Sequence, residues 1–119
     1  MTEPLLHLAE APLWEAARGT GTYEMSTRGR TLQEEGFIHL SLPHQLPGVA
    51  RMLYGGDDRE LVVLVVDPGR LTDPVRYEAM KPGGEAFPHL YGPLPVGAVV
   101  DVRPLADWYH DRREEEESQ

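Results

Sequence analysis

Leu61-Val62-Val63-Leu64-Val65-Val66 is apolar at every position and largely β-branched, so it has no solvated side to offer. Six residues fall far short of the ~20 that a membrane-spanning helix needs. The pattern is that of a strand covered on both faces, which places it in the middle of a sheet. Asp67-Pro68-Gly69 closes it as a turn.

The rest of the chain is punctuated at short intervals. Leu5 to Ala9 reads as a first strand, and Ala11 to Gly19 as a short helix with Pro12 in its first turn and Gly19 as its stop. Thr22 to Met25 forms a brief strand, and Thr31-Leu32-Gln33-Glu34 has the spacing of a capping box. Phe37 to Ser41 is again a strand. Ser41 is placed to cap a helix from Pro43 to Tyr54, delayed by Pro47, with Leu46, Val49, Ala50 and Leu53 on one stripe and Gly55-Gly56 ending it. Val75 to Glu78, His89 to Tyr91 and Val99 to Val102 are further short strands. Most strands are too closely spaced to be joined by crossover helices. The expected fold is therefore α+β, a mostly antiparallel sheet with short flanking helices.

At 119 residues the chain suits one domain, able to bury roughly two thirds of the surface its unfolded form exposes. We expect that domain over residues 1–105, followed by an acidic tail over 106–119, part of it helical and docking Trp108. The absence of cysteine removes disulfides, thiolate metal sites and cysteine nucleophiles together, and fits a reducing compartment, the cytoplasm above all. No basic segment leads into a long apolar run, so neither secretion nor a membrane is expected. The formal charge of −9 opposes nonspecific binding to nucleic acid, which is driven by Lys and Arg displacing counterions. Residues 110–119 carry five acids against two arginines, so the body is acidic without them.

Three histidines interrupt three of these strands, in Leu6-His7-Leu8, Ile38-His39-Leu40 and Pro88-His89-Leu90. With a period of two, Leu6, Leu8, Ile38, Leu40 and Leu90 turn to a core. His7 then shares a side with Leu5 and Ala9, His39 with Phe37 and Ser41, and His89 with Phe87 and Tyr91. Buried separately, three imidazoles would require three sets of polar partners, so one shared cleft is the more economical arrangement. Glu78, at the end of a short strand, supplies a carboxylate of the kind that supports an oxocarbenium-like transition state at a sugar carbon. Phe87 and Tyr91 are candidates to stack on a planar ligand. Gly83-Gly84 and Gly92 would let the backbone approach it. Zinc is disfavoured, because no two histidines have ligand spacing on one element, and no metal is expected. No P-loop, dinucleotide glycine motif, nucleophile elbow or His-Glu-x-x-His helix occurs.

With Leu6-His7-Leu8, Gly36-Phe37-Ile38-His39-Leu40-Ser41 and Phe87-Pro88-His89-Leu90-Tyr91-Gly92-Pro93-Leu94 in view, the chain resembles bacterial domain-of-unknown-function family 952, which is similar to ADP-ribosyltransferases. The resemblance spans residues 4 to 105 and includes Trp14-Glu15-Ala16-Ala17 and Pro47-Gly48-Val49-Ala50. It implies an ADP-ribosyltransferase-like fold, a split, mostly antiparallel sheet holding NAD in its cleft. It further implies that His7 contacts the nicotinamide ribose, that His39 shapes the nicotinamide pocket, and that Glu78 or His89 supports the transition state. Ser41, Phe87 and Tyr91 complete the nucleotide-binding set. Leu8 departs from the small residue that the transferases commonly carry after the histidine.

The leading expectation is a domain that binds NAD or a related small-molecule nucleotide and transfers or hydrolyses ADP-ribose, with His7, His39, His89 and Glu78 as catalytic candidates. Two others stand beside it. His39-Leu40-Ser41 has the His-x-Ser form of two-histidine phosphoesterases, although only one such tripeptide is present. A non-catalytic ligand-sensing or interaction domain would use the same cleft without turnover. Oligomeric state is left open by the sequence.

Overall fold

The computed structural model describes residues 3–27, 29–54, 60–79 and 81–108. In chain order the strands are β1 (Leu5–Glu10), β2 (Thr22–Tyr23), β3 (Met25–Thr27), β4 (Arg30–Thr31), β5 (Ile38–His39), β6 (Leu61–Val66), β7 (Val75–Ala79), β8 (Ala86–Leu90), β9 (Leu94–Pro95) and β10 (Val99–Pro104). The helices are α1 (Ala11–Thr20), α2 (Leu32–Glu35) and α3 (Leu46–Tyr54), with single 3-10 turns at Pro68–Arg70 and Val96–Ala98. A further helical turn covers residues 105–108.

Two antiparallel three-stranded sheets dominate, ordered β1-β6-β10 and β5-β8-β7. They meet at one isolated bridge, Leu6 to Ser41, whose backbones exchange two hydrogen bonds of 2.8 Å. The result is one continuous surface with a split down its middle. As its composition predicts, β6 is the central strand of its half, with Leu64 and Val66 on one core and Leu61 and Val63 on the other. The first core takes Leu5 and Ala9 of β1, Ile38, Leu40 and Leu90 of the second half-sheet, and Trp14 and Ala17 of α1. The second takes Leu6 and Leu8 of β1, Leu46, Val49 and Ala50 of α3, and Leu105. Burial on this scale is worth roughly 1.5–3 kcal/mol for each large aliphatic side chain.

This arrangement corrects several expectations. Leu5 and Ala9 do not line an open wall beside His7; β1 is buried on both faces because α1 and α3 cover opposite sides of the same half-sheet. Gly21, not Gly19, ends α1: it takes the left-handed conformation (φ 98°) and its N–H donates to the Ala17 carbonyl. Ser41 does not cap a helix, because its backbone is committed to the bridge with Leu6. The chain turns through residues 42–45 instead, where the Gln45 side chain accepts from the Leu42 N–H at 3.0 Å. With Pro47 in the first turn, α3 starts at Leu46. The capping box forms as read: the Thr31 side chain accepts from the Glu34 N–H at 3.2 Å, and the Glu34 carboxylate from the Thr31 N–H at 2.9 Å. Trp108 packs against the second core. Gly55-Gly56 and the tail from residue 109, His110 included, lie outside the described residues.

Candidate functional site

An antiparallel ladder continuing from the Leu6–Ser41 pair would next join Leu8 to His39, two residues further along each strand. It does not. The imidazole of His7 takes the His39 carbonyl, with its Nδ1 at 2.8 Å. A side chain thus fills the place of a ladder bond, and β1 and β5 part around it. The gap is a cleft of about 210 Å³, its open mouth included, lined by His7, Leu8, Ser26, Thr27, His39, Ser41 and Val49. Ser26 and Thr27 come from β3, which lies across the split, and Val49 from α3.

The chemistry of His7 follows from that bond. A carbonyl oxygen only accepts, so Nδ1 carries the proton and Nε2 is left as an acceptor. His7 is 3% exposed, and burial brings its pKa down to about 4, with the His39 carbonyl working the other way and the neighbouring His39 ring adding to the fall. The ring also meets Tyr23 edge-on, with centroids 5.1 Å apart. His39 falls to about 4 as well, first through burial and then through the nearby His89. Both are neutral at neutral pH.

On the second half-sheet the register places His39 of β5 directly opposite His89 of β8, with ring centroids 5.3 Å apart. Arg76 of β7 stands opposite His89 on the other side. His89 is 3% exposed. Its Nδ1 donates to the Glu78 carboxylate at 2.9 Å, and the same carboxylate oxygen accepts from the Tyr91 hydroxyl. The Tyr91 and His89 hydrogen bonds hold the Glu78 pKa below the usual carboxylate range, and Glu78 in turn raises that of Tyr91. Phe37 stacks on His89 (4.0 Å between centroids, 15° between planes), Phe87 lies 5.3 Å from His39, and the Arg76 guanidinium sits 5.1 Å over Tyr91.

Of the residues singled out in the sequence, His7, His39 and Ser41 border the cleft itself. His89, Glu78, Tyr91 and Phe87 form a second group next to it, joined through His39. The two groups approach from opposite faces: His7 shares a face with the first core, whereas Phe87 packs on the second. Only the split brings them together. Gly92 does not open a path to a ligand, because the Asp73 carboxyl occupies the space where its Cβ would stand. His44 is exposed, with its Nε2 3.6 Å from Glu85. Ser26 escaped the sequence reading; its strand is too short to show alternation, and nothing local marks it as buried. Tyr23 and Arg76 escaped it too, since their roles depend on strands distant in sequence.

His7 Nε2, His39 Nε2, His89 Nε2 and Ser26 Oγ are all buried without a hydrogen-bond partner among the described residues. Leaving a buried polar atom unpaired costs about 1–3 kcal/mol, and four in one neighbourhood is a concentration that folding alone does not require. No group of three or more His, Asp or Glu able to hold a metal ion occurs among the described residues. No helix there is long and apolar enough to cross a membrane.

Residues 8–102 match the model of the family described as Protein of unknown function (DUF952). Solved structures of protein CC0527 from Caulobacter crescentus are similar to this chain. One crystal structure is 33% identical, with a TM-score of 0.71 over 83% of this chain and 82% of that one. The solution NMR structure is 31% identical, with a TM-score of 0.67 over 85% and 83%. No curated protein matches.

Proposed function

This chain belongs to the DUF952 family of proteins of unknown function, and we propose that it binds NAD or a related nucleotide in the split between its half-sheets, as an ADP-ribosyltransferase-like domain does. The observation that carries the proposal is the wedge formed by His7. Its Nδ1 is held by the His39 carbonyl and its Nε2 is a buried, neutral, unpartnered acceptor at the cleft, suited to a ribose hydroxyl. His39 and Ser41 stand across from it, and Ser26 adds a hydroxyl. Most of the cleft's volume belongs to its open mouth, so the split would receive an edge of the nicotinamide ribose, with the remainder of the dinucleotide outside. Bound NAD would supply a cationic leaving group on the ribose C1′, so transfer or hydrolysis of ADP-ribose is the reaction class.

Titration calorimetry with NAD, ADP-ribose and nicotinamide tests the reading. Saturable heat is expected for NAD, weakened about tenfold in His7→Gln, the equivalent of one hydrogen bond of about 1.4 kcal/mol. No heat from any of the three at millimolar concentration refutes it.

A phosphoesterase reading is favoured by one observation, the carboxylate-bound His89 beside His39, which could serve as a base and acid pair. Turnover of a 2′,3′-cyclic phosphodiester that disappears in His39→Ala would establish it in place of the first; no turnover rejects it.

A further inference from the structure

The resemblance led us to expect either Glu78 or His89 as the group supporting the reaction. Glu78 is not alone. Its carboxylate accepts from both His89 Nδ1 and the Tyr91 hydroxyl, so its oxygen is engaged with its own neighbours. What the three residues build is a carboxylate-held imidazole: Glu78 requires the proton on Nδ1, Tyr91 steadies Glu78, and Phe37 stacked at 4.0 Å holds the ring plane. The other ring nitrogen, Nε2, is buried and unpartnered, in a ring 5.3 Å from the His39 ring that borders the cleft. A carboxylate on one nitrogen and a bare lone pair on the other is the arrangement of a general base whose imidazolium is stabilised as it forms.

Building on the NAD reading above, we propose that His89 is the proton acceptor of the reaction, that Glu78 and Tyr91 are its positioning residues, and that the acceptor substrate is water. The deduced activity is NAD hydrolysis. In the step, the water oxygen bonds to the ribose C1′ as one of its protons passes to His89 Nε2. The C1′–N bond breaks, and its electron pair leaves with nicotinamide, which departs neutral. His89 then releases the proton to solvent, so NAD and water give ADP-ribose, nicotinamide and one proton. Water is favoured over a macromolecular acceptor because Nε2 is fully buried, so no larger nucleophile could come beside it.

The test uses the full chain and three readouts. Nicotinamide release from NAD is followed by chromatography in the wild type, His89→Gln, Glu78→Gln, Glu78→Asp and Tyr91→Phe. NAD affinity is measured on each by calorimetry, and the His89 tautomer by long-range ¹H–¹⁵N NMR without ligand. Expected are a proton on Nδ1 in the wild type, release reduced about 100-fold or more in His89→Gln and Glu78→Gln, partial recovery in Glu78→Asp, and NAD affinity changed less than about threefold. Glu78→Gln is also expected to admit the other tautomer; a merely structural glutamate would leave it unmoved. Absence of NAD binding by the wild type overturns the underlying reading. NAD bound but not cleaved, or cleaved equally by His89→Gln and Glu78→Gln, overturns this inference while the binding reading stands. If His89→Gln does not fold, the half-exposed Glu78 variants and the tautomer decide.

Discussion

Lowering the pH from 7.5 to 5.5 is expected to destabilise this protein by about 3 kcal/mol through two histidines alone. His7 and His39 both fall from an ordinary value of 6.5 to about 4 on folding, so between those limits the unfolded chain binds protons that the folded chain refuses. Stability then rises with pH, at up to about 1.4 kcal/mol per pH unit for each group. The contribution is complete above pH 6.5 and is lost progressively down to about pH 4. At pH 5.5, one unit below the unfolded value, each histidine accounts for about 1.4 kcal/mol. Against a total of roughly 5–15 kcal/mol for a domain of this kind, that is a large share. Glu78 does not blur the window: its pKa is lowered from 4.5, so its contribution is present above 4.5 and disappears only as pH falls further. Urea denaturation at pH 7.5 and 5.5 reads the effect directly. His7→Gln, whatever it costs in stability, should remove about half of this pH-dependent loss. Equal unfolding free energies at the two pH values, or an unaltered difference in His7→Gln, would refute the claim that these rings are sealed in as neutral groups.

Three further outcomes follow from packing and hydrogen bonds. Leu64→Ala, at a fully buried position of the central strand, should cost about 2–5 kcal/mol, measured as a fall in the urea midpoint with unchanged slope. Thr31→Ala removes the capping box of α2 and should cost about 1 kcal/mol, seen as a lower Tm in calorimetry. Gln45→Ala severs the bonds from the Gln45 amide to Ala86 O (2.8 Å) and Glu85 (3.1 Å), which tie the start of α3 to β8. A loss of about 1–3 kcal/mol, with faster amide exchange at the Leu42 N–H, is the expected result.

The legible parts of the fold were those encoded within one element. The Leu61–Val66 run could be nothing but a twice-covered strand, and Thr31 with Glu34 forms its capping box from four adjacent residues. Where a residue serves a distant partner, local reading failed. Ser41 has every attribute of a helix cap, yet a 35-residue contact with Leu6 outbids it for the backbone. Gly19 and Gly21 are equivalent as helix stops until the chain has to turn into β2, which pairs with β9.

The same boundary runs through the candidate site. From the residues themselves came an α+β class and three imidazoles set in apolar strands, because strand alternation and the cost of burying polar atoms act locally. That the histidines meet, and from opposite faces, was decided by tertiary structure. Two half-sheets touch at a single pair, and His7 donates where a ladder bond would have formed. Glu78 likewise becomes a partner of His89 only because β7 and β8 pair in the register that sets Glu78 opposite Phe87, two residues from His89 and on the same face. Hydrogen bonds between strands far apart in sequence have no local signature, since their energy exists only once the register is made.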